Sequence, residues 1–493
     1  MTLEEILALE DIDQKIEYLK KGRKTPMPNS NELWDEWNPD RHPIMINKEL
    51  FPDREVLIEE KKEGIDTKGN PIEIPAKYKT EPINRIPLPL EQDIVNIQTA
   101  FTVGTEPALN CDPQYDAEEN LFSALKHIFR KNKIKYQNKR IVRAWLAETE
   151  VAEYWYAVKD DSFWAKIMRK AKKTFGGKVK PSMILRSVIW SPFRGDKLYP
   201  FFENEDYLAL SREYKKKDIN GQEITCFMTV TSTHVYQWEQ TDGWHEVKDK
   251  TFKHGFEKNP SLYAWRAEPY CRKIKPIRER LEKLLSSFGD CIDYHFFPIL
   301  MLFGDVGGLL GKTKDRMVKL EGEGANAQYL VWQQAPDVVK YEAETLTNQA
   351  YDLTNTPRIS FSVLKGFSGN APSGDAFKFL FMGAHMAVSN HAEVIGEFLQ
   401  RRVNFLVSAL GSINPSEYME ASKTIDIETE IVPYMIDNLS EKVTTAVKAS
   451  GGPIWSTKEG IMFAGNADRV DEEMKLIKDE QETREKNAQN IAY

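Results

Sequence analysis

The sequence predicts an α+β fold, and three stretches of the chain support that prediction. Residues 375–410 contain no proline and keep a helical spacing of apolar residues, which predicts one long helix of roughly 50 Å. Residues 274–293 place apolar side chains on one stripe and charged ones on the other, as an amphipathic helix does. Residues 181–248 alternate short apolar runs with tight-turn pairs, which predicts an antiparallel β meander.

The composition limits the class of protein. A chain of 493 residues is long enough for two or three domains with a sizeable core. Its net charge of −8 argues against a protein that holds nucleic acid on a basic surface, although it allows a surface that guides DNA without binding it tightly. The four cysteines show no paired or metal-binding spacing, so reduced thiols are expected; they are Cys111, Cys226, Cys271 and Cys291.

No segment predicts a membrane protein. The apolar run 296–303 is far shorter than the ~20 residues that a spanning helix needs. The N-terminus is acidic and amphipathic, unlike a signal peptide. The sequence therefore predicts a soluble chain without a membrane partner.

Residues 1–90 are predicted to form one short helix followed by a proline-rich, extended arm. Two interpretations of the arm have equal support. It either wraps over another surface or a neighbouring subunit, or it is a disordered arm.

The middle of the chain predicts both helices and strands. Leu121, Leu125 and Ile128 recur at helical spacing, and residues 151–158 have the composition of a strand. The meander that follows takes its strands from residues 183–190, 206–210, 225–230 and 235–238, with turns at Asn220-Gly221 and Asp242-Gly243.

The segment after the amphipathic helix predicts a small β insertion. A hairpin is expected from strands 317–320 and 328–332, turned at the glycine-rich residues 321–326. A second helix over 339–353 ends before Pro357, because the residue before proline disfavours helix. After the long helix, residues 424–431 predict a strand, and residues 468–487 predict a charged, solvated helix.

The stretch Gly304–Thr313 resembles a phosphate-binding loop because it ends in Gly-Lys-Thr. That motif requires glycine at the position that Val306 occupies, and a helix after the final threonine. The spacing is therefore wrong for nucleotide binding.

Other candidate sites are weak. His385 and His391 are six residues apart, which is not the spacing of a helical metal pair. The loop 361–374 could be a plain connection between helices. A basic cluster in the β insertion is diluted by acidic neighbours, so a solvated hairpin is the better-supported interpretation; the members of the cluster are Lys312, Lys314, Arg316 and Lys319.

The order of these elements, over residues 92–485, resembles that of siphophage-type portal proteins of tailed double-stranded-DNA bacteriophages. Four local motifs occur in the family's order: Asn96–Pro107, Asn355-Thr-Pro357, Ser373-Gly-Asp-Ala376, and Gly452–Glu459 followed by Asp468–Glu473. Ser373 would also cap the long helix.

The resemblance implies a portal-type fold with a helical C-terminal crown. It divides the chain into an N-terminal arm (1–90), the first part of the wing (91–270), a first stem helix (271–297), a clip (298–338), a second stem helix (339–356), a tunnel loop (357–374), the long wing helix and strand (375–432), and the crown (433–493).

The resemblance also implies a function. About twelve copies would form a ring at one capsid vertex, assembled in the host cytoplasm and retained in the virion. Double-stranded DNA would pass through the channel without sequence recognition. Expected protein partners are the terminase large subunit, a head–tail adaptor, and the major capsid and scaffold proteins. No cofactor, metal or catalytic residue is expected.

Particular residues are assigned to these roles by the resemblance. The tunnel loop would present Lys365, Gly366, Phe367, Ser368, Gly369 and Asn370 to DNA. The clip cluster Lys312, Lys314, Arg316 and Lys319 would meet the packaging ATPase first and the adaptor later. The stem would contact neighbouring subunits through Ile277, Leu281, Leu284 and Phe288, so Leu281→Asp is expected to give monomers.

Two alternatives remain open at this point. One is a nucleotide-driven enzyme of DNA packaging, suggested only by Gly311-Lys-Thr313. The other is a generic structural adaptor of a virion.

Overall fold

The structure is a computed structural model, and it describes residues 1–65, 71–159, 183–217, 221–295, 299–309, 318–330, 335–358, 374–434, 439–450, 454–466 and 470–491. The chain divides into two compact units. The first comprises Met1–Arg358 and Gly383–Pro433, and the second comprises Ile359–Met382 and Tyr434–Tyr493.

Helices provide the longest elements. In chain order they are α1 Leu3–Leu7, α2 Ile12–Lys21, α3 Ser30–Trp37, α4 Pro43–Ile46, α5 Leu90–Val103, α6 Asp116–Asn132, α7 Ile134–Glu148, α8 Lys275–His295, α9 Ala335–Leu353, α10 Gly374–Ile413, α11 Pro415–Tyr418, α12 Ala421–Thr424, α13 Leu439–Ser450, α14 Thr457–Ile461 and α15 Val470–Ile491.

The strands pair antiparallel in every sheet that the described residues form. In chain order they are β1 Arg54–Glu59, β2 Lys62–Ile65, β3 Pro71–Ile74, β4 Lys77–Glu81, β5 Ala108–Cys111, β6 Glu150–Lys159, β7 Met183–Trp190, β8 Lys197–Glu203, β9 Asp206–Lys217, β10 Glu223–Val230, β11 His234–Gln240, β12 Trp244–Glu246, β13 Phe252–Lys253, β14 Ser261–Trp265, β15 Ile299–Leu309, β16 Val318–Leu330 and β17 Ile427–Glu430.

The predicted meander forms two sheets. One has the order β12-β11-β10-β9-β8, with β13 also on β11, and the other has the order β14-β6-β7. The strands predicted at 183–190, 206–210, 225–230 and 235–238 are confirmed, and β8 was not predicted. The predicted turn at Asp242-Gly243 connects β11 to β12, and Gly221 has the positive φ of a tight turn (81°).

The main core lies where α5, α6, α7 and α10 pack with the three-stranded sheet. Leu121 and Leu125 of α6 contribute to it, as their spacing predicted. Trp155 of β6 and Phe398 of α10 fill the centre. The long helix is confirmed and spans 40 residues. Together with the antiparallel sheets, these helices confirm the α+β prediction.

The N-terminal residues differ from the prediction of a single helix. Four helices, α1 to α4, form before residue 47, and β1 to β4 follow. Leu3 and Ile6 of α1 and Ile16 and Leu19 of α2 are buried against the six-stranded sheet. This region forms short amphipathic helices because the six-stranded sheet buries their apolar side chains.

The hairpin after α8 also differs from the prediction. β15 pairs with one long strand, β16, which runs through residues 321–326 instead of turning there. The glycine-rich stretch forms an irregularity, because the partner changes from Asn326 opposite Phe303 to Glu321 opposite Asp305. The glycine residues thus allow a local break in the strand pairing, as glycine does in β-bulges.

Candidate functional site

An extended segment of the arm is bound along helix α8. The backbone N–H groups of Asn84, Ile86 and Leu88 donate to side chains of α8 at 2.8, 3.0 and 2.9 Å. The acceptors are Asp290, Ser286 and Glu282, which are spaced four residues apart.

The spacing explains why this contact forms. Two residues of extended chain advance about 6.6 Å, and four residues of helix advance about 6.0 Å, so alternate N–H groups match successive turns. Pro87 lies between Ile86 and Leu88, and Pro89 follows Leu88, so both prolines are at positions where no N–H donor is needed. The interpretation that the arm wraps over a surface therefore holds for this segment, and that surface belongs to its own chain.

Two buried polar contacts connect the start of α8 to residues that precede it in the chain. The Nδ1 atom of His42 lies 2.5 Å from Oε1 of Glu282, and both side chains are about 1% exposed. Arg278, which is fully buried, lies 3.3 Å from the carboxylate of Glu91. Burial raises the pKa of Glu91 to about 7, although Arg278 opposes that shift.

The charged stripe of α8 is partly buried. Arg278 and Glu282 both belong to that stripe, and the structure buries both side chains. Arg280 remains half-exposed and forms an ion pair with Glu342 of α9, at 2.7 Å. That pair links the two helices that flank the β15–β16 hairpin.

The four residues predicted to contact neighbouring subunits divide into two pairs. Leu281 is 1% exposed and Ile277 packs against the main core, so these two side chains contact their own subunit. Leu281 is buried within its own subunit, and its contact with a neighbouring subunit stays a prediction. Leu284 and Phe288, one and two turns further on, are half-buried and remain predicted interface residues.

The turn after α9 is held by one buried glutamine. Nε2 of Gln98 donates to the carbonyls of Thr354 and Asn355, both at 3.1 Å, and to Oγ1 of Thr356 at 2.8 Å. The hydroxyl of Tyr270 donates to the Thr354 carbonyl at 2.6 Å. Asn355 has φ +47°, a left-handed conformation that asparagine tolerates at the end of a helix.

A buried histidine of α10 lies beside the same helix α5. Nδ1 of His391 is 3.1 Å from Oγ1 of Thr102, whose hydroxyl donates to the carbonyl of Gln98. That oxygen therefore accepts from Nδ1–H, which assigns the neutral tautomer. Burial, with a smaller repulsion from Arg266, lowers the pKa of His391 to about 3.

These contacts fix where the predicted tunnel loop begins. Gln98 holds residues 354–356 from α5, and Gly383 of α10 lies beside Asn355. The predicted DNA-facing residues Lys365, Gly366, Phe367, Ser368, Gly369 and Asn370 lie outside the described residues. Sequence reasoning missed Gln98, and its position two residues after Asn96 in the quoted motif was the only available signal.

The predicted partner-docking cluster is described only in part. Lys319 lies in β16, and Lys312, Lys314 and Arg316 lie outside the described residues. Gly304 and Gly307 belong to β15, where Val306 is paired with Leu320. The described half of that motif is thus part of a paired strand, and its end, Gly311-Lys-Thr313, lies outside the described residues.

The described residues were also compared with the requirements of metal sites, disulfides and membrane-spanning helices. No group of three or more His, Cys, Asp or Glu side chains in them could hold a metal ion. The four cysteines are free thiols. No helix in the described part is long and apolar enough to cross a membrane. A cleft of about 600 Å³ is lined by aromatic, aliphatic and basic residues, among them Tyr154, Trp190 and Phe252.

Comparisons with known proteins show which class of protein this chain resembles. The family model described as "Phage portal protein, SPP1 Gp6-like" matches residues 47–487. Among curated proteins, none matches the chain.

Two solved structures are similar to the chain at low identity. One is the neck of an empty GTA particle computed with C6 symmetry, with 11% identity, a TM-score of 0.41, and coverage of 77% of this chain and 90% of that one. The other is the virion of a native gene transfer agent particle, with 11% identity, a TM-score of 0.37, and coverage of 76% and 88%.

The helix–hairpin–helix of α8 to α9, followed by a held turn and the long helix α10, defines a structural connector subunit of the portal type. The chain belongs to the SPP1 Gp6-like phage portal protein family. It is a portal connector subunit of a virion, in a family of structural proteins that is not an enzyme family.

Proposed function

We propose that about twelve copies of this chain form a ring at one capsid vertex, through which double-stranded DNA enters and leaves without sequence recognition. The order α8, β15–β16, α9, held turn and α10, within the family match, is the observation that supports this proposal. The net charge of −8 agrees with it, because each phosphate neutralised by a cation adds affinity that would slow a moving cargo.

Each element has a proposed part in this function. Residues 365–370, with Lys365 and Asn370 as polar contacts, line the narrowest part of the channel. The clip residues Lys312, Lys314, Arg316 and Lys319 dock the terminase large subunit first and the head–tail adaptor later. Major capsid and scaffold proteins surround the ring, which assembles in the host cytoplasm. The chain itself hydrolyses no nucleotide, because the terminase supplies the energy.

The domain boundaries 1–90, 91–270, 271–297, 298–338, 339–356, 357–374, 375–432 and 433–493 remain part of the proposal. Within them, the Gln98 contacts provide a fixed starting point for the loop. A loop that touches moving DNA needs such an anchor, because force on its tip is transmitted to its ends.

Deleting residues 365–370 tests the loop assignment. We expect the variant to form rings by negative-stain microscopy, since the anchor at Thr354–Thr356 is intact. We expect DNA packaging or retention to fail in particles. A control that replaces the six residues with a Gly/Ser segment of equal length separates the role of the side chains from that of loop length. Normal packaging by the deletion variant would contradict the assignment, and the absence of wild-type rings would contradict the portal ring itself.

A further inference from the structure

The second half of α8 buries few side chains. Leu281 is the last fully buried apolar residue in the part of α8 whose side chains the structure describes. Beyond it, the buried side chains there are those of Glu282 and Ser286, at 1% and 3% exposure. Both accept backbone N–H groups of the extended segment 83–88. This half of the helix is therefore covered by a polar contact with that segment and contributes no fully buried apolar side chain to the core.

The same half of α8 contains a weak helical turn. Ser286, Ser287 and Gly289 fall within one turn, and serine and glycine have lower helix propensities than the Arg, Glu, Leu and Lys residues of 278–285. Sharp bends in helices occur mostly at proline, at Gly/Ser pairs or at π-bulges. The sequence of α8 therefore favours a bend at residues 286–289.

The segment crosses α8 at this turn. A Cβ atom built on Gly289 would lie 3.3 Å from Nδ2 and 3.4 Å from Cβ of Asn84, so the lack of a side chain at Gly289 allows this close approach. On one side of the glycine, Ser286 accepts the N–H of Ile86 at 3.0 Å. On the other side, Asp290 accepts the N–H of Asn84 at 2.8 Å. Hydrogen bonds from the segment thus lie on both sides of the weak turn.

The segment has a second attachment that does not involve α8. The guanidinium of Arg85 donates to the carbonyls of Ile44 and Phe51 at 2.7 and 2.9 Å, and to the carboxylate of Asp53 at 2.9 Å. These bonds hold the segment to residues that precede it in the chain. The segment can therefore separate from α8 and keep its own position.

The contact between the segment and α8 has the character of a low-stability region. None of the residues 83–88 is fully buried. By contrast, Leu121 and Leu125 of α6, in the main core, are 0% exposed. A region held by hydrogen bonds, with few buried apolar contacts, opens locally at a lower free energy than the core does. The segment is therefore expected to leave α8 while the core stays folded.

We propose that the 83–88 segment is a releasable strap on α8. When bound, it stabilises the turn 286–289, and when it detaches, the second half of α8 bends at that turn. A bend there redirects the β15–β16 hairpin, because the hairpin follows α8 in the chain. The inference concerns a single subunit and does not depend on the proposed ring.

Hydrogen–deuterium exchange of the full-length protein, read at single amides by mass spectrometry with electron-transfer fragmentation, tests the release. We expect the amides of Asn84, Ile86 and residues 286–293 to exchange at least about a hundredfold faster than those of Leu121 and Leu125, because the strap opens before the core. Equal protection of Ile86 and Leu121 would show a permanent contact and overturn the inference. Core-like protection of residues 286–293 beside a fast-exchanging Ile86 would overturn it too, since the turn would not depend on the strap.

Gly289→Val separates the effect of the strap from that of the helix. Valine has a higher helix propensity than glycine, but its side chain is crowded by Asn84. We expect exchange of residues 286–293 to become about tenfold faster than in wild type. Gly396→Val in α10 is the matched control, because a Cβ atom there meets nothing within 4 Å, and it should leave exchange in α8 unchanged. Slower or unchanged exchange of residues 286–293 in Gly289→Val would count against the strap.

Ile86→Pro tests the same contact without adding atoms at Gly289. Proline suits an extended segment and removes the N–H that Ile86 donates to Ser286. We expect exchange of residues 286–293 to rise about tenfold, and to stay within about twofold of wild type in Ile86→Val, which keeps the N–H. No increase in Ile86→Pro would overturn the inference. Faster exchange throughout the subunit would overturn it as well, because the segment would then support the whole fold.

Discussion

At the scale of single residues, His391 is the clearest case of a side chain controlled by its surroundings. It is 4% exposed on α10, between the rings of Trp145 and Tyr270, whose centroids lie 5.5 and 5.2 Å away. Thr102 accepts its Nδ1–H, and Nε2 has no hydrogen-bond partner within the described residues. A proton added to Nε2 would place a charge among aromatic rings and near Arg266, which is the cause of the low pKa.

This environment makes stability depend on pH. The pKa of His391 is about 3 in the folded protein and 6.5 when the residue is free, so the unfolded chain binds more protons between those values. The contribution of His391 is therefore fully present above pH 6.5 and is lost as pH falls. We expect wild type to lose up to about 2 kcal/mol of unfolding free energy from this group between pH 7 and 5.

His391→Gln tests that dependence, because glutamine can still donate to Thr102 but does not titrate. Thermal unfolding at pH 5 and pH 7 measures the difference. Glu91 and Glu148, whose pKa values burial raises to about 7, act in the opposite direction in both proteins. Only the difference between variant and wild type in their loss of stability on acidification therefore measures the contribution of His391. An equal loss of stability in the two proteins on acidification would contradict the assignment.

At the scale of elements, α8 has different environments along its length. Leu281 is buried within the subunit, and Leu284, three residues later, is only half-buried. We expect Leu281→Ala to lower the unfolding free energy of the subunit by about 2–4 kcal/mol, the usual cost of emptying a buried leucine site. We expect Leu284→Asp to keep the subunit folded and to reduce ring formation.

Urea unfolding of the subunit and native mass spectrometry of the rings separate these effects. Lys283→Asp is the control. It makes a neighbouring exposed position more negative by at least as much charge as Leu284→Asp does. If Leu284→Asp unfolds the subunit, that side chain is part of the core and the remaining interface prediction is wrong. Unchanged rings from a folded Leu284→Asp variant would equally remove Leu284 from the interface.

The elements that sequence predicted well are those that local pattern determines. The period of α10 and the turn at Asp242-Gly243 depend on neighbouring residues, and both are confirmed. The buried Arg278 and Glu282 could not be predicted, because their partners Glu91 and His42 are distant in sequence. The turn at residues 321–326 was wrong because pairing with β15 overrides the local preference of glycine. Gln98 was missed because an isolated glutamine has no pattern to reveal its role.

At the scale of the whole molecule, residues 1–46 precede the part matched by the family model, yet they are integrated into the fold. Leu19 of α2 and Phe227 and Trp238 of the six-stranded sheet share one buried cluster. Arg23 follows α2 and reaches a second sheet, where its guanidinium lies 2.8 Å from the carboxylate of Glu150 on β6. The hydroxyl of Tyr263 donates to the same carboxylate at 2.7 Å. The N-terminal residues thus contact two sheets of the first unit.

The Arg23–Glu150 pair provides a direct test of this integration. Both side chains are nearly inaccessible, at 5% and 1% exposure, and burial raises the pKa of Glu150 while Arg23 opposes the shift. Arg23→Met leaves a buried carboxylate without its cation, and we expect a loss of about 3–5 kcal/mol of unfolding free energy at pH 7.

Adding Glu150→Gln to Arg23→Met removes the unpaired charge, so the double variant is expected to recover part of that loss. The exposed pair Lys21–Glu17 is the matched control, and Lys21→Met should leave the stability nearly unchanged, because exposed ion pairs contribute little. Urea unfolding at pH 7 measures all four proteins. If Arg23→Met behaves like Lys21→Met, the N-terminal residues are only loosely attached to the two sheets. A large loss with partial recovery would establish that a segment outside the family match stabilises the fold that the family shares.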